Sequence, residues 1–481
     1  MSAASASNWH FIWLKLQWLT WILGLVLTAS CTVGPNYSRP PVEAPAKYKE
    51  EAEPKSPQSI DDVISAKWWE IFGDSELNGF EQQVTISNQN IAQAEARFRQ
   101  ARALVQAARA AYFPTVTVGI GANRMQQSET AQPGTTRTKQ AFSTYSLPID
   151  VSWELDVWGK IRRSVESSEA SAQASAADLE AATLSARADL AQDYFQLRSL
   201  DAQKQILNES VVAFQKSLDL TNNRYNAGVA SRGDVVQAET QLKTTQAQAI
   251  DVGVQRAQLE HAIALLLGKP PANFSVSVAP LRAVPPSIPA GVPEELLQRR
   301  PDVASAERSA AAANAQIGVA QSAYYPNVSI NSQGGFESSS LAKWFSVLGR
   351  FWSAGISATE TLFDGGLRGA QVEQARAAYD ASVAAYRQSV LTGFQEVEDN
   401  LAAQRILTSE AQAQDEAVTA AQQSLAVTMN QYQAGIVSYL NVVIVQTTAL
   451  TNERTAADIL GRRLTASVLL VKALGGGWKT S

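Results

Sequence analysis

Two stretches of this chain are versions of each other: Arg224-Tyr225-Asn226-Ala227-Gly228-Val229-Ala230-Ser231-Arg232-Gly233-Asp234-Val235 and Gln431-Tyr432-Gln433-Ala434-Gly435-Ile436-Val437-Ser438-Tyr439-Leu440-Asn441-Val442. Each runs from a Tyr through Ala-Gly to a Ser. Gly228 and Gly435 suit the left-handed conformation that ends a helix, and Ser231 and Ser438 suit the cap of the helix that restarts. Each stretch is therefore expected to be the tight end of a long helical hairpin.

The spacing is that of a duplication. Tyr225 to Tyr432 is 432 − 225 = 207 residues, and Leu267-Gly268 matches Leu474-Gly475 at the same 207. Upstream, Tyr112-Phe113-Pro114 matches Tyr324-Tyr325-Pro326 at 212. The chain reads as two copies of one plan.

That plan is mostly helical. From Gly159 a helical pattern runs to about Tyr225, with Val165, Ala172, Leu179 and Ala186 in one seven-residue series and Leu190, Leu197, Val211 and Leu218 in another. Heptads with small seam residues predict close-packed coiled-coil pairing. The return arm, about Asp234 to Leu267, is shorter, so helices over about 74–112 and 293–324 are expected to stack on the return arms.

Between helices the period changes from helical to two. Val116, Val118 and Ile120 alternate with small or polar residues, as do Tyr145, Leu147, Ile149, Val151, Trp153 and Leu155 with Ser146, Pro148, Asp150, Ser152, Glu154 and Asp156. Such strands have one apolar and one polar face. A soluble sandwich would produce the same pattern. Four strands are too few for a sandwich core beside so much helix, and Tyr145 and Trp153 suit the two rims of a membrane girdle. Pro148 lacks a ladder donor, which predicts an edge or a bulge.

The start of the chain carries an export signal. One Lys (Lys15) precedes a nearly continuous apolar run, Leu16 to Leu27, and small residues lead to Cys31, the only cysteine. This predicts a signal over 1–30, an extended, Pro-rich N-terminal strap over 31–73 and a first repeat over 74–268 with strands 115–121 and 145–155 and tip 226–234. A Pro-rich crossing over 269–292 leads to a second repeat over 293–475, with strands 327–336 and 352–362 and tip 434–441, and a tail over 476–481. With two His and one Cys, a zinc site or a Cys/His nucleophile pair has almost nothing to be built from, and a net charge of −5 argues against nucleic acid as a partner.

Several segments together resemble the outer-membrane efflux proteins of Gram-negative bacteria, the TolC-like family, in its lipoprotein branch. They include Cys31-Thr32-Val33-Gly34-Pro35-Asn36-Tyr37, Trp68-Trp69 with Phe72-Gly73-Asp74, Arg299-Arg300-Pro301-Asp302-Val303, Leu362-Phe363-Asp364-Gly365-Gly366 and Lys472-Ala473-Leu474-Gly475-Gly476-Gly477-Trp478. The resemblance implies a homotrimer in which each chain gives four strands to a twelve-stranded membrane β-barrel and its coiled-coil hairpins to an α-helical periplasmic tube. It implies lipidation of Cys31, anchorage in the outer membrane, and partnership with a periplasmic adaptor and an inner-membrane pump of the resistance-nodulation-division type. No cofactor or metal is implied, and no enzyme activity.

The family's tip latch maps onto Asp234 and Tyr432, so the resemblance implies a closed periplasmic gate held by that pair. The acidic ring at the family's aperture falls on Asn441 and Ile444 and is missing at those positions, and a tip Arg of the family falls on Val437. Asp150, Glu154 and Asp156 are candidate lumenal acids on the polar strand face, with simple surface solvation the competing reading. The alternative function is a lipid-anchored scaffold or adaptor without a pore. Two hairpins, two strand pairs and no lipoyl-like domain favour the duct.

Overall fold

The computed structural model describes residues 32–50, 67–126, 141–289 and 291–479. The predicted lipidation site, Cys31, lies outside them. Helices α1 (Ser75–Ser87) and α2 (Gln89–Ala110) are followed by strands β1 (Thr115–Val118), β2 (Gly121–Met125) and β3 (Phe142–Leu155), then α3 (Lys160–Asn226) and α4 (Arg232–Leu266). The plan repeats with α5 (Pro293–Arg299), α6 (Pro301–Ser322), β4 (Asn327–Ser338), β5 (Arg350–Thr359), α7 (Leu367–Gln433) and α8 (Tyr439–Ala473). Corresponding helices match in length: α3 and α7 have 67 residues each, and α4 and α8 have 35.

The chain divides into two compact units. The first combines residues up to 40 with 99–174 and 307–384, and contains the sheet. Its strand order is β1-β3-β4-β5, with β2 also pairing β3, all antiparallel. The register puts Leu147 opposite Phe336, Trp153 opposite Ile330, and Ile330 opposite Ile356, so apolar residues of neighbouring strands share one face. Much of that face is uncovered among the described residues: Val118 is 71% exposed and Trp352 83%.

Pro148 is on an inner strand, not at an edge. Its position is opposite Gly335 on one side, and on the other Gly119 donates its N–H to the Pro148 carbonyl at 2.9 Å. Strands β1 and β2 keep a single register along β3 and are interrupted at Gly119-Ile120, where proline has no donor to return. The chain's start is fastened to this unit. Arg163 donates to the carbonyls of Val33 and Gly34 and to Asn36 Oδ1, and Tyr37 donates to Glu307 Oε1 at 2.6 Å.

The second unit combines residues 41–98, 175–306 and 385–481 and holds the main apolar core. The N-terminal strap enters that core: Tyr48, Trp68, Trp69 and Phe72 are all buried, with Trp68 edge-on to Trp69 and Phe72 against Phe195. A stretch expected to be an extended strap thus supplies the largest fully buried side chains, Trp68 and Tyr48. The reason is local: a short 3-10 turn over Trp68–Phe72, ended by Gly73 at φ 65°, turns three aromatics inward.

Neither short helix pair is continuous. Asn88 breaks the first with an extended backbone: its Oδ1 accepts from the N–H groups of Asn90 and Ile91, and its Nδ2 donates to Leu266 O at 2.9 Å. Arg300 breaks the second, and its Nη1 donates to Ala473 O at 3.1 Å. These positions correspond, since 300 − 88 = 212 and 473 − 266 = 207. In each copy the break therefore caps the end of the return helix.

Glu81 of α1 is fully buried, and neither carboxylate oxygen has a hydrogen-bond partner among the described residues. Burial holds its carboxyl well above the usual range, offset in part by Arg187, whose guanidinium lies over Trp69 and bonds Thr85. The folded chain keeps this proton where the unfolded chain has lost it, so Glu81 lowers stability progressively as pH rises above about 4.5. Glu81→Met, which removes two unpaired oxygens at similar volume, is expected to raise stability by about 1–3 kcal/mol near neutral pH. Melting curves across a pH series check this: the wild-type slope should flatten, and a variant less stable than wild type at pH ~8 would contradict it.

Candidate functional site at the hairpin tips

Both tips belong to the second unit and are built alike. Helix α3 ends with Gly228 at φ 77°, and the N–H groups of Gly228 and Val229 return to the carbonyls of Tyr225 and Arg224. Gly435, also at φ 77°, ends α7, with Gly435 and Ile436 returning to Tyr432 and Gln431. Only glycine takes this conformation cheaply, which is why both copies have it.

The two restarts differ. Ser231 Oγ accepts from the Asp234 N–H at 3.1 Å while Asp234 Oδ2 accepts from the Ser231 N–H at 2.9 Å, a complete capping box for α4. Ser438 holds the equivalent place before α8 without a side-chain cap bond, and the Asn441 N–H goes to the Ser438 carbonyl. Asn441 sits where Asp234 sits in the first copy.

The pair Asp234 and Tyr432 is not brought together within the chain. Asp234 is engaged by Ser231, and the Tyr432 hydroxyl lies 3.1 Å from Thr221 Oγ1 on α3. Tyr432 is 3% exposed and packs edge-on against Tyr439, in a small cluster with Ala238 and Val442. Burial, and then Tyr432, pushes the Tyr439 hydroxyl up to about 12. The corresponding Tyr225 is 40% exposed.

The residue that ties the two hairpins is Arg224. Its guanidinium stands 4.7 Å from the Tyr432 ring centroid, and Nη1 donates to the carbonyls of Tyr432 and Gln433 at 3.0 and 3.2 Å. A cation thus caps the C-terminal, negative end of α7 while lying on its last aromatic ring. The second copy has Gln431 at this position, so the tie runs one way. The Arg-to-Gln difference between the tips is visible in the sequence, but it is one of several and does not stand out from the rest.

The three candidate lumenal acids separate. Glu154 is paired with Lys160 at 2.9 Å. Asp156 lies beyond the end of β3 and accepts from the N–H groups of Ile161 and Arg162 and from Arg162 Nε, so it caps α3 and carries a paired charge. Asp150, within β3, has no ion pair among the described residues and faces Thr117 and Gln333 in register. Among the described residues no group of three or more His, Cys, Asp or Glu could hold a metal, and no helix is long and apolar enough to cross a membrane.

Comparison with known proteins gives one answer. The model of the outer membrane efflux protein family matches residues 81–269 and again 292–476. Nodulation protein T of Rhizobium leguminosarum bv. viciae is 30% identical over 94% of this chain and 92% of its own length. The pyoverdine export outer membrane protein OpmQ of Pseudomonas aeruginosa is 28% identical over 97% of this chain and 98% of its own. Among solved structures, the outer-membrane channel OprN superposes with a TM-score of 0.87 at 31% identity, covering 94% of this chain and all of that one. The open state of the Neisseria gonorrhoeae MtrE outer membrane channel gives 0.82 at 26% identity over 93% and 99% of the two chains. With a family model across both repeats and a relative aligned almost end to end, this chain belongs to the outer membrane efflux protein family.

Proposed function

We propose that the chain is a passive exit duct for small molecules, the outer-membrane part of a tripartite efflux pump. The observation that carries this is the sheet: one exposed apolar face, two edges unpaired among the described residues, and chain connections to helices that all leave from one end of it. An open edge leaves backbone groups unpaired in lipid, so the sheet must be closed by further copies, and the homotrimer of this family supplies them. A pore-free scaffold would have no use for such a face. The duct performs no chemistry and takes its energy from the inner-membrane pump, reached through a periplasmic adaptor.

In this reading the tips are the gate, and Arg224 with Tyr432 holds the second hairpin against the first. Asp234 serves the gate as a helix cap, and Asn441 as its weaker counterpart. Cys31 is the lipid anchor, placed just before Val33, whose N–H donates to Trp158 O at 3.1 Å where β3 passes into α3. Of the candidate acids, Asp150 is the one left to charge the lumen.

The test is conductance of the purified trimer in a planar bilayer. Small steps from a mostly closed channel are expected, with larger ones when the cognate adaptor is added. A membrane-bound trimer that conducts with neither would favour the scaffold.

A further inference from the structure

The loop between β4 and β5, residues 339–349, is unusually apolar for a loop. Leu341 is 61% exposed, Phe345 65%, Val347 71% and Leu348 97%. Such a cluster on a surface marks a contact with something other than water. The connectivity says where it lies. The chain joins helices at Thr115, Leu155, Asn327 and Thr359, all at one end of the sheet, so this loop is at the other. With the helices on the periplasmic side, that other end is extracellular.

The loop also has a definite side. Trp344 is buried, with its ring 6.1 Å from Tyr145 and its Nε1 donating to Phe336 O at 3.4 Å; Phe345 stacks on Trp344 at 5.1 Å and meets Phe336 at 5.5 Å. Tyr145 and Phe336 both belong to the apolar face of the sheet, since Leu147 is opposite Phe336 and Tyr145 is two residues before it. The loop is thus folded down over the apolar wall, away from the polar face that lines the mouth. It rests on β3 and β4, the inner strands, and not on the edges where another protomer would join.

The fold of the loop is fixed, too. Two 3-10 turns, Leu341–Lys343 and Val347–Gly349, bracket the aromatic pair. A Cβ at Gly349 would meet the carbonyls of Trp344 and Glu337 at 2.9 and 3.1 Å.

From this placement we propose that Leu341–Leu348 is a lipid-seated anchor: Trp344 and Phe345 pin the loop to the outer wall, and Leu341, Val347 and Leu348 enter the acyl-headgroup boundary of the outer leaflet. The partner is a lipid surface with anionic headgroups. Aromatic residues favour that boundary, and the exposed cations Lys343 and Arg350 beside the loop are placed to reach lipid phosphates. The inference rests on the barrel reading given above.

The experiment is spin-label accessibility in the full-length trimer, reconstituted into vesicles of phosphatidylethanolamine, phosphatidylglycerol and lipid A. Labels go on Leu348→Cys, on Ile356→Cys in the apolar face and on Ser329→Cys in the polar face, with wild-type protein carried through the same labelling as background. Leu348→Cys is expected to be relaxed several-fold more by oxygen than by an aqueous nickel chelate, as is Ile356→Cys, and Ser329→Cys the reverse. Nickel access at 348 with oxygen preference at 356 would overturn the anchor and leave the barrel standing. Nickel access at both would overturn both. Tyr145→Ala with Trp344→Ala, which removes the pin, should lower the oxygen preference at 348 several-fold while leaving that at 356 unchanged.

Discussion

Arg300→Ala is expected to destabilise the second unit by about 2–3 kcal/mol and to lower the yield of assembled trimer. The side chain is 7% exposed and makes two parallel bonds to Asp302, at 3.0 and 2.7 Å, one to Glu396 at 2.6 Å and one to Ala473 O at 3.1 Å. Breaking a fully buried ion pair costs roughly 3–5 kcal/mol, mostly through the charge left stranded. Here the stranded partners are 43% and 44% exposed and recover water, which lowers the figure. What remains is the lost packing and an uncapped carbonyl at the end of α8.

A second variant separates capping from charge. Position 88, the equivalent in the first copy, is Asn with nearly the same extended backbone, ψ 124° against 119°, and it caps both its own helix and the return helix. Arg300→Asn should therefore cost about 1 kcal/mol less than Arg300→Ala, the usual worth of a cap. Denaturant titration of the two variants against wild type measures both differences. Equal stability of all three would show that the ion pairs contribute nothing and that the capping role is wrongly assigned.

Residues 88 and 300 also show where sequence reading stopped. Helical periodicity passes through both positions, so one helix is expected over 74–112 and one over 293–324. Pro301 is the local mark of the second break, since its ring pushes Arg300 out of the helical region and Pro301 itself opens α6; Asn88 has no such neighbour, and its break shows only in the cap it makes and in the Leu266 carbonyl it reaches. The hairpins were legible because tip glycines, caps and heptad seams are local signals repeated at constant spacing. The strand faces were legible for the same reason: a period of two needs no partner to be seen. Trp68 and Trp69 fall at the end of a stretch that reads as an extended strap, because its Pro-rich start masks the short inward turn that follows. Pro148 reads as an edge or a bulge, and the cost of its missing donor falls instead on the neighbouring strand, which breaks.

The contacts of the proposed gate were the least legible part. Capping boxes such as Ser231 with Asp234 satisfy an acid locally, and an acid already satisfied has no reason to reach across to Tyr432. Arg224 gave little sign of its role, because a basic residue in the last turn of a helix is ordinary. Its acceptors lie 208 and 209 residues away.

Arg224→Ala is accordingly expected to open the resting channel. Two hydrogen bonds from a charged donor and one cation-ring contact, discounted for partial solvent exposure, amount to about 2 kcal/mol. If opening moves the second hairpin away from the first, that amount shifts the closed-to-open equilibrium by about 30-fold. Mean bilayer current at fixed protein should rise accordingly, with trimer yield unchanged. Arg224→Lys should recover less than half, since a lysine reaches a carbonyl but does not cover the ring and span two acceptors. Asp234→Ala, which removes a cap worth about 1 kcal/mol on α4, should change the current far less. A current raised as much by Asp234→Ala as by Arg224→Ala would return the latch to the acid. No rise in either would place the closing contacts between protomers, where each tip meets the next chain's.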